Sequence, residues 1–191
     1  MKVAVIIPSH NLADKLGRCL DHVNRTRTAH EVKVTVVDNN IDQTTWAVAE
    51  TRLDMNRDTY VRLPEQLTFA CACNLGAALN RSAAILVFLN NDCYVEENWL
   101  DPLIEAYTSG HGVIGARLLY ANGMVQHAGG WIGPGWRLYH RYYCAECVAI
   151  HEESQTPGRK TYDYQNSVRL LRIWARCDVN RFLPADDFEP S

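Results

Sequence analysis

The residues best placed to do chemistry stand at the end of one apolar run. Ala84, Ile85, Leu86, Val87, Phe88 and Leu89 are followed at once by Asn90, Asn91 and Asp92. An unbroken apolar run of this length reads as a strand buried on both faces, as in a parallel sheet covered by helices. Ligands of such sheets sit just beyond the carboxyl ends of the strands, which is where the three polar residues fall. One carboxylate beside two amides makes a hard-oxygen cluster suited to Mg²⁺ or Mn²⁺ holding a phosphate. Asn and Asp also favour turns, so the triplet alone does not decide between a site and a plain strand end.

Two further apolar strands end in the same way. Residues 3–7 run into Pro8, Ser9, His10 and Asn11, and residues 32–37 run into Asp38, Asn39 and Asn40. Parallel strands would bring the three polar ends to one edge, where two aspartates and several amides converge. Few lysines or arginines accompany them. Two unit charges 4 Å apart interact by about 4 kcal/mol at an effective dielectric of 20. A diphosphate beside Asp38 and Asp92 therefore calls for a divalent cation.

The elements that must hold these ends follow from periodicity. Helical spacing is expected over 14–23, where Leu16, Cys19, Leu20 and Val23 recur, with Asn11 or Asp14 as its cap. Helices are also expected over 44–53, 69–80 and 99–107, and strands over 59–63 and 113–119. Gly76 lies inside the third helix, where it costs about 1 kcal/mol relative to Ala; close approach of a ligand or a neighbour would explain it. This alternation predicts an α/β fold with a mainly parallel sheet and right-handed crossovers. Asn122-Gly123 between two short apolar runs predicts a hairpin with a type I′ turn. The hairpin delivers Gln126, His127 and Ala128, and His127 is a candidate ligand or phosphate contact. Residues 129–136 read as a mobile loop with two tryptophans for stacking, a lid over a sugar or a loop stapled by packing. Beyond Leu138 the periodicity weakens, apart from a helical spacing over 168–175.

Composition excludes several classes. The chain has 191 residues, 47% hydrophobic and 21% charged, with a net charge of −3, so one globular domain is expected and no broad basic field invites nucleic acid. No apolar stretch approaches a membrane span, and residues 1–8 are not a signal peptide. A cytoplasmic protein is expected, with no integral membrane segment and with peripheral membrane association left open. Seven cysteines without a secretion signal argue against a disulfide framework, and Cys19, Cys71 and Cys73 are expected to act as small buried hydrophobes. His140, Cys144, Cys147 and His151 have residue types that suit zinc, but structural zinc sites draw on two separated ligand pairs. Ordinary packing is the expected role of these four. No P-loop and no dinucleotide fingerprint occurs.

Five segments in order resemble the family 2 glycosyltransferases over about residues 2–130: residues 3–11 ending in Pro8-Ser9-His10-Asn11, residues 36–40, residues 69–76, residues 89–92, and residues 124–130. The resemblance implies a GT-A (Rossmann-like) fold with helices on both faces of the sheet and a β-hairpin after the last parallel strand. It divides the chain into a nucleotide-sugar-binding core, 1–130, and an incomplete acceptor-side region, 131–191. It also implies roles. Pro8, Ser9, Asn11, Asp38, Asn40, Asn74, Asn90, Asn91 and His127 would bind the nucleotide-sugar, and Asp92 would hold the Mg²⁺ or Mn²⁺ that bridges its diphosphate. Asn90 stands where the family carries its first acid. The implied reaction is inverting sugar transfer from a nucleotide-diphosphate sugar to a hydroxyl of a glycan or glycoconjugate, in polysaccharide synthesis. The family's catalytic-base context is missing, so Asp186 and Asp187 are base candidates by position only. The alternative is a truncated, inactive nucleotide-sugar-binding or assembly subunit. A sugar-nucleotide pyrophosphorylase would need a basic, Gly-rich loop after the first strand, and residues 8–11 are not one.

Overall fold

The structure is a computed structural model. It describes residues 1–26, 28–39, 44–109, 114–128, 131–133, 137–139 and 143–152. The chain forms two compact units. Among the described residues, the first holds 1–16 and 30–91 and the second holds 17–26, 28–29 and the residues from Asp92 onward.

The first unit is a parallel sheet in the order β3-β2-β1-β4, with β1 Lys2–Ser9, β2 Glu31–Asp38, β3 Thr59–Arg62 and β4 Ile85–Phe88. The β1–β2 register runs from Lys2–Glu31 to Ser9–Asp38. Helix α1 (Ala13–Asn24) follows β1 and carries on into the second unit. Its buried Leu16, Cys19, Leu20 and Val23 have the i, i+3, i+4, i+7 spacing of an apolar stripe. Helix α2 (Thr44–Glu50) is shorter than its periodicity predicts.

Helix α3 (Phe69–Ala78) is capped by Thr68, whose hydroxyl accepts from the Cys71 amide at 3.3 Å. Asn80 ties its other end to the sheet: Nδ2 donates to the Gly76 carbonyl at 2.7 Å and to Thr35 Oγ1 at 2.9 Å. Ile6, Val37, Leu63, Ala72 and Leu75 form the core between α3 and the sheet. Fully burying one aliphatic side chain of this kind contributes about 1.5–3 kcal/mol. The neighbour that Gly76 admits is Ile6, whose Cγ2 fills the space a Cβ would need. Cys19 and Cys73 are buried thiols as expected, with the Cys73 pKa pushed up to about 11 by burial. Cys71 is buried as expected too.

One carboxylate is wholly structural. Asp58 is buried; its Oδ1 accepts from the Val34 amide at 2.9 Å and its Oδ2 from the Asp54 amide at 3.1 Å. Arg57 forks onto the same two oxygens at 3.0 Å each. Asp58→Ala is expected to lower unfolding free energy by about 1–3 kcal/mol, because buried donors lose their acceptor; a urea titration measures it. A change under 1 kcal/mol would contradict this account.

Strand β4 corrects the expectation of burial on both faces. Leu86 is 39% and Phe88 50% exposed, while Ile85 and Val87 are half-buried, so the face of β4 that carries Leu86 and Phe88 is the open one. An unbroken apolar run does not distinguish a strand covered on one face from one covered on both.

The second unit holds a mixed sheet in the order β5-β10-β6-β7, with β5 Cys93–Val95, β6 Gly115–Leu119, β7 Val125–Ala128 and β10 Tyr143–His151. β10 pairs antiparallel with β5 and parallel with β6. Helix α4 (Leu100–Thr108) buries Leu100 and Ile104, and Trp99 before it donates its indole N–H to Thr26 Oγ1 at 2.7 Å. The predicted hairpin joins β6 to β7, but not through a type I′ turn. Gly123 alone has positive φ (81°), and its amide bonds the Tyr120 carbonyl at 2.8 Å. That is a three-residue loop with Gly in the left-handed position, the alternative use of Gly in hairpins. The glycine-rich 129–136 stretch was read as a loop, yet β8 Trp131–Gly133 pairs antiparallel with β9 Arg137–Tyr139.

Candidate functional site

In the first unit the polar ends of three strands do meet. Ser9 at the end of β1 is the register partner of Asp38 at the end of β2, and both are fully buried. Asn91, just past β4, donates Nδ2 to Ser9 Oγ at 3.2 Å and to the Asn11 carbonyl at 3.1 Å. Asn11 and Leu12 both have left-handed φ, 57° and 59°. Such residues cost about 1–2 kcal/mol each, and the Asn91 bond helps hold the strained link. Strain of this type gathers at ligand-binding sites. Asp38 accepts a hydrogen bond from the Tyr60 hydroxyl; burial first, and then this carboxylate, pushes the Tyr60 pKa upward.

A bracket beside the rim escaped sequence reasoning. Asn39 Nδ2 donates to the Leu67 carbonyl and Asn39 Oδ1 accepts from the Leu67 amide, each at 2.7 Å. The Asn39 carbonyl lies 3.1 Å from His10 Nδ1, which places the proton on Nδ1. His10 Nε2 is then the acceptor for Asn11 Nδ2 at 3.1 Å and Gln66 Nε2 at 3.3 Å. Pro8 pairs with Val37 in the same sheet, and Asn74 is half-buried on α3. Asn90 is half-buried beside Asn91. Asn40 lies outside the described residues, as do Asp186, Asp187 and His140.

In the second unit Asp92 is buried beside His151, with Oδ1 3.2 Å from Nε2 and side chains 8% and 11% exposed. The Cys93 thiol joins them: one ligand-capable atom from each of the three residues lies within 4.8 Å of the others. The β5–β10 register pairs His151 with Cys93 directly. Gln126 Oε1 is 2.8 Å from His151 Nδ1, so the Q-H stretch reaches the cluster through its Gln. His127 pairs with Leu118 across the hairpin and is half-buried.

His151 thus keeps company with Asp92 and Cys93. Cys144 Sγ is 3.6 Å from Glu146 Oε2, and burial first, then Cys144, pushes the Cys147 pKa up to about 12. The signal for this cluster was present in the sequence as residue types, but their spacing pointed to other partners. Nearby, the Arg18 guanidinium stacks 4.1 Å over the Tyr94 ring and reaches Glu152 Oε1 at 3.2 Å.

The model of glycosyl transferase family 2 matches residues 4–166. The chain belongs to that family. Over 148 residues this family 2 chain is 34% identical to O-antigen biosynthesis protein RfbC of Myxococcus xanthus, covering 72% of the chain and 11% of RfbC. It is 35% identical over 115 residues to glycosyltransferase AglE of Haloferax volcanii, covering 58% of the chain and 36% of AglE. The chain therefore spans well under half the length of either relative.

Among solved structures, TarS 1-349 of S. aureus superimposes with a TM-score of 0.56 at 15% identity, covering 91% of this chain and 65% of that one. GalNAc-T7, solved with UDP, GalNAc and Mn²⁺, gives 0.53 at 16% identity, covering 84% and 31%. These likenesses establish the GT-A fold of this family 2 chain. Among the described residues no helix is long and apolar enough to cross a membrane.

Proposed function

We propose that this chain is the donor-binding part of a glycosyltransferase that moves a sugar from a nucleotide-diphosphate sugar to a hydroxyl of a glycan, with inversion and with a divalent cation at Asp92. The observation that carries the reading is the convergence of Ser9, Asp38 and Asn91 from three parallel strands, at the rim where such sheets take nucleotides. Family membership supports the reaction class. UDP bound to TarS 1-349, and UDP with Mn²⁺ in GalNAc-T7, support the donor class and the metal.

The residues present fit a divalent cation. Asp92 offers a carboxylate oxygen and His151 an imidazole nitrogen, and the Gln126 contact leaves His151 Nε2 facing Asp92. A bound cation would stabilise the negative charge that develops on the departing diphosphate. Asp38 would accept from the ribose or base, and Pro8, Ser9, Asn11, Asn40, Asn74, Asn90, Asn91 and His127 would complete the donor's surroundings. The proton of the acceptor hydroxyl needs a general base, for which Asp186 and Asp187 stand as proposals.

Thermal-shift measurements with UDP-, GDP-, CDP- and dTDP-sugars, each with and without Mn²⁺, test the reading. One donor class is expected to raise Tm, and only with metal. A donor at about 100 times its Kd adds about 2.7 kcal/mol of stability. No shift with any donor would overturn the proposal.

A further inference from the structure

We infer that Asp92, Cys93 and His151 form one mixed oxygen–sulfur–nitrogen cation site, which selects a borderline, thiol-accepting ion such as Co²⁺ or Zn²⁺ over Mg²⁺. The inference rests on the proposed reading of Asp92 as a metal ligand, and it names the class of ion.

Geometry is the first support. Two ligand atoms about 2.1 Å from one ion, with 90–109° between the bonds, lie about 3.0–3.4 Å from each other. Asp92 Oδ1 and His151 Nε2 are 3.2 Å apart. The Cys93 sulfur completes a set whose atoms all lie within 4.8 Å of one another, so small side-chain rotations close it around an ion.

Orientation is the second. Gln126 Oε1 accepts the Nδ1 proton of His151 at 2.8 Å, which aims Nε2 at the carboxylate. A metal-ligating histidine characteristically donates its other ring N–H in this way, and the partner fixes the ring. The antiparallel β5–β10 pairing, with Glu152 N bonded to the Asp92 carbonyl at 3.2 Å, holds both ligand-bearing segments in register.

Burial and donor type are the third. Asp92, Cys93 and His151 are all buried. Mg²⁺ demands octahedral oxygen coordination, and here one carboxylate stands beside a thiol and an imidazole. Zn²⁺ and Co²⁺ accept fewer ligands, and a thiolate favours them over hard ions. The sequence alone suggested a hard-oxygen cluster of Asn90, Asn91 and Asp92, but the Asn91 amide nitrogen is bonded to Ser9 and Asn11.

The test uses the full chain, reduced and stripped of metal, titrated with Co²⁺ in the absence of nucleotide. A sulfur-to-cobalt charge-transfer band in the near ultraviolet is expected, persisting against about a 100-fold excess of Mg²⁺. X-ray absorption on the unmodified chain should show a sulfur neighbour at about 2.3 Å. Cys93→Ser should remove the band, and His151→Gln should weaken Co²⁺ binding at least about 10-fold.

Cobalt bound without a sulfur neighbour, a band that survives in Cys93→Ser, or displacement by equimolar Mg²⁺ would each overturn the inference. If Cys93→Ser does not fold, X-ray absorption on the unmodified chain decides. Donor binding, measured by calorimetry with Co²⁺ and with Mn²⁺, separates the two readings. Asp92-dependent donor binding without cobalt–sulfur contact sinks only this inference. A sulfur-bound cobalt in a chain that binds no donor sinks only the proposed function.

Discussion

Asp92→Asn is expected to abolish metal-dependent binding of the donor nucleotide, with a loss of at least about 100-fold in affinity. Changes to groups that merely support a ligand cost about 10–100-fold, and Asp92 would be the one carboxylate proposed to hold the metal. The substitution keeps the shape of the side chain and offers His151 Nε2, 3.2 Å from the present oxygen, an amide N–H or oxygen, so the fold should survive. Leaving a neutral buried partner imperfectly bonded costs about 1–3 kcal/mol, which a thermal melt would show. Calorimetry with and without Mn²⁺ separates the effects: binding without metal should be the same in both proteins, and the metal-dependent gain should vanish. A gain that persists in Asp92→Asn would remove the carboxylate from the proposed metal site.

Gly76→Val is expected to unfold the first unit or to cost several kcal/mol, and Gly76→Ala to destabilise by about 1–2 kcal/mol. The sign is the informative part. In an ordinary helix interior Ala is favoured over Gly by about 1 kcal/mol, so helix propensity predicts a gain. Here the added Cβ meets Ile6 Cγ2, and Ile6 is fully buried in the central strand of the core. A β-branched side chain has no flexible end to swing away, and overpacking of a dense core costs about 1–3 kcal/mol, occasionally more. Urea unfolding of the three proteins would measure the order. A Gly76→Ala protein as stable as the parent would mean that the α3–β1 contact yields easily. Donor binding by the folded Gly76→Ala protein should be unchanged, because Gly76 touches the core and not the polar rim.

The sequence by itself determined the alternation of strands and helices and the family. Periodicity is local: Leu16, Cys19, Leu20 and Val23 mark a helix face whatever lies opposite, and residues 3–7 mark a strand whatever strand pairs with it. It also placed the polar residues at strand ends, because those ends follow apolar runs directly. Only the tertiary structure decided which ends touch and through which atoms. Ser9 and Asn91 are 82 residues apart in the chain and 3.2 Å apart in space, a contact fixed by the strand order β3-β2-β1-β4.

The same reason accounts for the misreadings. The exposure of Leu86 and Phe88 depends on what covers one face of β4, which an apolar run cannot report. The turn at Asn122-Gly123 depends on how β6 and β7 register, and one positive φ at Gly123 suffices. His151 was visible as a possible ligand, but its partners, Asp92 and Cys93, come from the antiparallel pairing of β10 with β5. Local spacing tied it instead to Cys144 and Cys147 on its own strand. A chain sets its local conformations residue by residue, whereas a site is assembled by sheet order and register, which long-range packing alone selects.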